Sequence, residues 1–195
     1  MENSIYCPYC YKYTYLTNRG GWSNGQTQYW MGECNSCHRV VLGVEEPEEH
    51  TMYPLPLPKP VDERIPEPIR KDFEEALKCF SIEAYRAAGV MARRAMQSCC
   101  LDKGASEDKK LNNQIEWLFT ERIITKELKD WANEVRLTGN DAAHPKKPAE
   151  DKSVTREDTK EILDLLEQFT NVLYVAPAIA EERRKSRTQD KSQKV

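Results

Sequence analysis

The sequence predicts an α+β protein in which a small β module precedes an all-α bundle of four to five helices. Three observations predict this order: two Cys-x-x-Cys pairs near the amino terminus, a proline-rich stretch after them, and helical periodicity beyond it. The 195 residues suffice for one core of roughly 100 to 150 residues and a smaller module. We therefore expect the β module at 1–46, a linker at 47–66, the helical bundle at 67–176 and a charged tail at 177–195.

The composition narrows the class of protein. With 39% hydrophobic and 31% charged residues, it is typical of a soluble globular protein. No apolar run approaches the ~20 residues that a bilayer requires, so we expect no membrane partner. The amino terminus, MENSIYCPYC, lacks the basic and apolar regions of a secretory signal, which favours a cytoplasmic location. A net charge of −3 is not typical of a general nucleic-acid binder, so any such contact must be local.

Four of the seven cysteines form two closely spaced pairs, Cys7 with Cys10 and Cys34 with Cys37. Two intervening residues let one tight turn direct both thiolates at a single ion, and four thiolates satisfy the tetrahedral preference of zinc. The pairs therefore predict a structural zinc site in a module that resembles a zinc ribbon. We expect zinc binding, which contributes ~10 kcal/mol or more, to supply most of the folding free energy of so small a module.

The residues between and after the cysteine pairs predict short strands. Tyr11, Tyr13 and Tyr15 alternate with polar residues, residues 26–33 have the pattern of a return strand, and residues 40–44 that of a third strand. The aromatic residues of the module have two interpretations: stacking on the bases of a single strand, or filling its small core, which we favour. They are Tyr9, Tyr11, Trp22, Tyr29 and Trp30. The module is also a candidate site for a protein partner.

The chain then changes from proline-rich to helical. Seven of the eleven prolines lie between Pro47 and Pro68, which predicts an extended, semi-rigid spacer. Apolar residues recur at helical spacing from there on, as expected for helices that bury one face in a bundle. The last long helix has a capping box formed by Thr155 and Asp158, and we expect Pro177 to interrupt it. The basic and acidic tail that follows is expected to fray.

Two strings in the helical region carry a family resemblance. They are AYRAAGVMARRAMQSCC, residues 84–100, and WANEVRLTGNDAAHP, residues 131–145. Together they resemble the bacterial domain of unknown function 4145, which is grouped with the HEPN-like superfamily of helical domains. The resemblance covers roughly residues 66–176, and an amino-terminal zinc ribbon is a familiar companion of that domain.

The resemblance implies a helical domain that often forms homodimers and, in catalytic relatives, a metal-independent endoribonuclease of bacterial defence or stress systems. By resemblance, the candidate catalytic residues are Arg136, Asn140 and His144, and the candidate partner is single-stranded RNA. An imidazole with an ordinary pKa near ~6.5 suits proton transfer at a ribose 2′-hydroxyl, and a guanidinium suits the scissile phosphate. The candidate phosphate-binding residues are Arg86, Arg93, Lys146 and Lys147.

The motif departs from the catalytic pattern in its spacing. Residues 137–143 separate Arg136 from His144, whereas an ideal helix would set positions eight apart at ~12 Å and ~80° around its axis. Gly139 and Asn140 favour a helix end, so we expect a break there. The break would either bring Arg136 toward His144 or only end a helix. Likewise, Arg86 and Arg93 either bind phosphate or pair with Glu134 and Asp141. The alternative function is a non-catalytic adaptor that binds protein or nucleic acid.

Overall fold

The computed structural model describes the backbone of residues 4–143 and 154–192, and the side chains of residues 4–134 and 154–188. The chain divides into two compact units, Met1–Pro60 and Val61–Val195, which we call the β unit and the helical unit. The β unit holds a cysteine cluster and antiparallel sheets, and the helical unit follows it, so the predicted α+β class is confirmed.

The β unit contains two antiparallel sheets. Strands β1, Ile5–Tyr6, and β2, Tyr13–Thr14, form a two-stranded ladder. The second sheet is a four-stranded meander in the order β3-β4-β5-β6. Its strands are β3, Leu16–Ser23; β4, Gln28–Cys34; β5, Val40–Glu46; and β6, Glu49–Tyr53.

The predicted return strand and third strand correspond to β4 and β5, but two elements differ from expectation. The alternating tyrosines do not form one strand: only Tyr13 is in β2, and the long strand β3 starts at Leu16. Strand β6 lies inside the expected linker, because the acidic turn after β5 returns the chain for one more antiparallel pairing. Residues 54–66 have no regular secondary structure.

On one face of the four-stranded sheet, the ring of a tryptophan packs against glycine residues. The indole of Trp30 lies so close to Gly43 that a methyl group added there would overlap its ring. Its Nε1–H donates to Glu45 at 2.9 Å, and Val41 is fully buried on the same face. Glycine is required at position 43 because the ring occupies the space of a side chain.

The helical unit contains six α-helices within the described residues. They are α1, Glu67–Ser81; α2, Tyr85–Asp102; α3, Leu111–Thr120; α4, Lys126–Ala143; α5, Arg156–Thr170; and α6, Ala176–Ser192. Helix α2 is central and contacts α1, α3, α4 and α5. Small buried residues on α2, including Ala88, Ala92 and Ala95, let these neighbours approach closely. Larger side chains such as Phe73 and Phe169 fill the remaining core.

The two ends of α5 show one confirmed prediction and one difference. The capping box is present: Asp158 N–H donates to Thr155 Oγ1 at 3.1 Å, and Thr155 N–H donates to Asp158 Oδ2 at 3.0 Å. At the other end, a π-helical segment, Asn171–Val175, leads directly into α6. Pro177 does not interrupt the helical path, because it lies in the first turn of α6, where a missing N–H is tolerated.

The tail is therefore helical where the structure describes it. Arg64, ahead of α1, contacts Glu182 of α6 through two bonds, Nε to Oε1 at 3.0 Å and Nη2 to Oε2 at 3.2 Å. This two-pronged geometry holds α6 to the chain segment before α1 more specifically than a single contact would. No helix among the described residues combines the length and the apolar character that crossing a membrane requires.

The expected helix break at Gly139 and Asn140 is wrong. Helix α4 continues through both residues to Ala143. A glycine inside a helix costs only about 1 kcal/mol relative to alanine, and contacts of α4 with α2, α3 and α5 offset that cost.

Candidate metal centre

The first cysteine pair lies in a tight turn between β1 and β2. Tyr11 N–H donates to the Cys7 carbonyl at 3.0 Å, and Cys7 N–H donates to the Lys12 carbonyl at 3.0 Å. Tyr9 N–H is 3.5 Å from Cys7 Sγ. Tyr11, directly after Cys10, has a φ of 55°, the left-handed conformation that reverses the chain so that both thiols point the same way.

The second pair repeats this geometry at the turn between β4 and β5. His38 N–H donates to the Cys34 carbonyl at 2.8 Å, and Cys34 N–H donates to the Arg39 carbonyl at 2.9 Å. Ser36 N–H is 3.4 Å from Cys34 Sγ. His38, directly after Cys37, has a φ of 60°. The two turns are therefore related as near copies, each presenting two thiols.

The four sulfur atoms of Cys7, Cys10, Cys34 and Cys37 form one cluster. They all lie within 4.8 Å of one another, with Cys7 Sγ to Cys37 Sγ at 3.8 Å and Cys10 Sγ to Cys34 Sγ at 3.9 Å. A tetrahedron of thiolates around an ion with bonds of about 2.3 Å has edges of about 3.8 Å. The donor set and its spacing thus fit a single tetrahedral metal ion.

The local environment shifts the pKa values of the Cys7 and Cys34 thiols in opposite directions. Burial raises the pKa of the Cys7 thiol to about 12. Burial also acts on Cys34, but the N–H groups of Cys37 and Ser36, with the neighbouring thiols, outweigh it and lower its pKa to about 6. Because thiolates are the metal ligands, a bound cation would displace thiol protons, so metal binding at this cluster is linked to pH.

His38 adjoins the cluster but is directed elsewhere. Its imidazole is 75% exposed, and Nδ1 lies 3.1 Å from Glu33 Oε1. Arg19 Nη2 is 2.7 Å from the other oxygen of the same carboxylate. Hydrogen bonds from His38 and Arg19 lower the pKa of Glu33. The imidazole of His38 is thus engaged by Glu33 and not by the sulfur cluster.

The aromatic residues of the β unit separate into two groups. Trp30 is half-buried and packs against Gly43, which agrees with the expectation of a core role, but Trp22 is 55% exposed. Its ring stacks on Tyr29 with centroids 4.7 Å apart and planes inclined by 10°. The cross-strand register separates the two tryptophans: Trp30 lies opposite Gly43, whereas Trp22 lies opposite Tyr29.

The candidate catalytic residues fall at the edge of the described chain. Arg136 and Asn140 are four positions apart on α4, and their side chains lie outside the described residues. His144, Lys146 and Lys147 also lie outside the described residues. The structure therefore does not test whether these groups come together.

The two candidate phosphate-binding arginines of α2 are both engaged by other groups. Arg93 is half-buried and Arg86 exposed, and each takes part in an electrostatic or hydrogen-bonding interaction. Arg86 also lines an open cavity of about 790 Å³ between α1, α2 and Val154. Two carboxylates, Glu75 and Glu83, line the same cavity, so its charge does not single it out for phosphate.

Comparison with known protein families identifies the family to which the helical unit corresponds. A family model described as Domain of unknown function (DUF4145) matches residues 74–191, more than half of the chain. The chain belongs to this family. The DUF4145 match begins within α1 and ends within α6, so it includes α4 and excludes the four-cysteine cluster. No curated protein and no solved structure matches the chain.

Proposed function

We propose that the protein is a HEPN-like effector that acts on RNA, with the helical unit as the RNA-directed part and the β unit as a zinc ribbon. The DUF4145 match supports the first half of this proposal, because it spans the segment with Arg136, Asn140 and His144. The cluster of four sulfur atoms supports the assignment of the β unit as a zinc ribbon. We place the protein in the cytoplasm, in a bacterial defence or stress response.

The continuity of α4 bears on how the candidate catalytic residues could act together. Because α4 is continuous to Ala143, Arg136 and Asn140 lie one turn apart and His144 follows directly. If the helical path continued, Arg136 and His144 would be ~12 Å apart, too far to act on one phosphate. This supports a site shared by two copies, in which Arg136 and Asn140 of one protomer face His144 of its partner. The homodimer is then part of the active unit.

The chemistry assigned to this site is transesterification within RNA. His144 takes the proton of a ribose 2′-hydroxyl, whose oxygen then attacks the adjacent phosphorus while the bond to the 5′-oxygen breaks and that oxygen takes a proton from water. Arg136 stabilises the charge that develops on the phosphate oxygens, and Asn140 donates a further hydrogen bond. Lys146 and Lys147, directly after the motif, attract the flanking phosphates. The products are a 2′,3′-cyclic phosphate and a 5′-hydroxyl.

A mixing experiment tests both activity and the shared site. Zinc-loaded protein is incubated with mixed single-stranded RNA, with and without magnesium, as wild type, Arg136→Ala and His144→Ala. Each variant alone should be inactive. A shared site predicts that an equimolar mixture, allowed to exchange subunits, recovers about a quarter of wild-type cleavage, because half of the dimers contain one intact site of two.

The controls separate this mechanism from contamination and from a site within one chain. Arg94→Ala removes an arginine of α2 that already pairs with Asp72 at 3.1 Å, and it should leave cleavage intact. A mixture without recovered activity, although both variants exchange subunits, would contradict the shared site. Cleavage that is absent from wild type, or survives His144→Ala, would contradict the ribonuclease proposal itself.

Zinc is the metal we propose for the sulfur cluster. Four thiolates form a closed structural site for zinc, with no open position for a substrate. Metal analysis should give one zinc per chain, and cobalt substitution should give the intense visible absorption of a tetrahedral tetrathiolate site. Two or more ions per chain, or an octahedral cobalt spectrum, would contradict this assignment.

A non-catalytic adaptor is the second candidate function, and one observation favours it. The β unit exposes the stacked pair of Trp22 and Tyr29 on its surface, which suits binding rather than catalysis. If wild-type protein binds RNA or a protein without cleaving RNA, the adaptor function stands and the ribonuclease proposal falls.

A further inference from the structure

One face of the four-stranded sheet in the β unit is apolar and exposed. Cross-strand register places Trp22, Tyr29 and Val44 in one row, which ends at Thr51, and Met31, Leu42 and Tyr53 in the next. Residues directly opposite in antiparallel strands share a face, so these six side chains form one surface, which we call the aromatic face. Trp22, Met31 and Tyr53 are 55%, 39% and 50% exposed. The opposite face is the one that Trp30 closes.

Such a surface is unusual on an isolated module. A small sheet with one face covered usually carries polar residues on the other, yet here six positions of two adjacent rows carry aromatic or aliphatic side chains, with Thr51 the polar member at one edge. Contiguous exposed apolar area marks a binding surface, and tryptophan and tyrosine contribute most where partners bind tightly. The Trp22–Tyr29 stack holds both rings in place, which lowers the entropy lost on binding.

The charges beside the aromatic face favour a positively charged partner over a negatively charged one. Alternation along β5 and β6 puts Glu46 and Glu49, a cross-strand pair, on the same side one row beyond Val44. Glu46 accepts from Thr27 at 3.5 Å and Glu49 from Thr51 at 3.3 Å, and within the described chain neither carboxylate has an ion pair. Two unpaired carboxylates repel phosphate and attract lysine or arginine.

We propose that the aromatic face binds an extended peptide segment of a partner protein that carries apolar side chains beside lysine or arginine. The apolar side chains contact the rows of the face, and a basic side chain crosses the Trp22–Tyr29 stack to reach Glu46 and Glu49. Cations are attracted to the faces of such rings as well as to the carboxylates. Arg19, a cation on the same sheet, is paired with Glu33 at 2.7 Å and does not offset this charge. The inference does not depend on RNA cleavage.

Two synthetic peptides of opposite charge test which charge the site prefers and where on the zinc-loaded protein it lies. The probe is an acetylated peptide that alternates leucine or phenylalanine with arginine, and its partner probe has glutamate at every arginine. Binding is measured by fluorescence anisotropy, and the Trp22 indole N–H signal in the NMR spectrum reports the site. We expect the arginine peptide to move that signal and to bind at least about tenfold more tightly than the glutamate peptide, a difference of ~1.4 kcal/mol.

Matched variants show whether the aromatic face is responsible. Trp22→Ala, and Glu46→Gln combined with Glu49→Gln, should each weaken binding at least about fivefold while leaving zinc content unchanged. Trp131→Ala and Glu107→Gln remove an exposed tryptophan and an exposed carboxylate from the helical unit and should have no effect. Equal binding of both peptides, or no loss with Trp22→Ala, would overturn the proposal. So would tighter binding of oligouridylate at Trp22, or self-association that depends on Trp22.

Discussion

Replacing Cys34 by alanine should unfold the β unit and leave the helical unit intact. Within the described part of the β unit, the buried apolar side chains other than Cys7 and Cys34 are Val41 and Leu57. Burying such a side chain contributes ~1.5 to 3 kcal/mol, so the pair supplies about 3 to 6 kcal/mol. The zinc ion that we propose for the cluster would contribute ~10 kcal/mol or more, which would make the metal centre the largest single term.

Cys34 is the most informative ligand to remove. It accepts two N–H contacts, from Ser36 and Cys37 at 3.4 Å each, so the change removes a ligand and the acceptor that holds the second turn. We expect zinc content to fall from one ion per chain toward zero. In the NMR spectrum, dispersed β-sheet signals should be lost, while far-UV circular dichroism shows an unchanged melting transition of the helical unit.

Cys79→Ala is the matched control for this experiment. Cys79 lies on α1, outside the cluster, and its thiol is only partly exposed. The variant should keep its zinc and all β-sheet signals. A Cys34→Ala protein that retains the dispersed signals without metal would refute the reasoning, because the β unit would then fold on its apolar core alone.

Three further substitutions test the fold at single sites. Gly43→Ala should displace the Trp30 indole and destabilise the β unit by about 1 to 3 kcal/mol, measured as weaker zinc affinity against a chelator. Thr155→Ala should remove the capping box with Asp158 and cost the helical unit about 1 kcal/mol in chemical denaturation. His38→Gly should stabilise the β unit by roughly 0.5 to 1 kcal/mol, because glycine relieves the left-handed φ of 60°; a loss of zinc affinity would contradict this.

The cysteine centre could be predicted from the sequence because its determinants are local. Two residues between thiols define each turn, and the structure shows the two turns as near copies with the same backbone bonds. The capping box before α5 is local in the same sense, since Thr155 and Asp158 satisfy each other within one turn. Spacing alone was sufficient at both places.

Several features of the fold depend on tertiary contacts and could not be predicted from the sequence. Strand β3, LTNRGGWS, has no alternating pattern and is a strand because β4 pairs along it. Trp22 and Trp30 lie on neighbouring strands of the same sheet, and their cross-strand partners leave one exposed and the other half-buried. In the helical unit, the π-helical segment lets the chain continue past Pro177, because it moves the proline into a first turn.

The continuity of α4 gives a direct test of the region that decides the function. If Gly139 is an ordinary helical residue, Gly139→Ala should stabilise the helical unit by about 1 kcal/mol, or roughly 4 °C in melting temperature. Gly104, just past α2, has a φ of 101°, so Gly104→Ala should destabilise it and serves as the control of opposite sign. If Gly139→Ala lowers the melting temperature, α4 bends there and one chain can bring Arg136 to His144. If it raises the melting temperature and preserves RNA cleavage, catalysis does not need a bend, and a site shared between protomers is the remaining geometry.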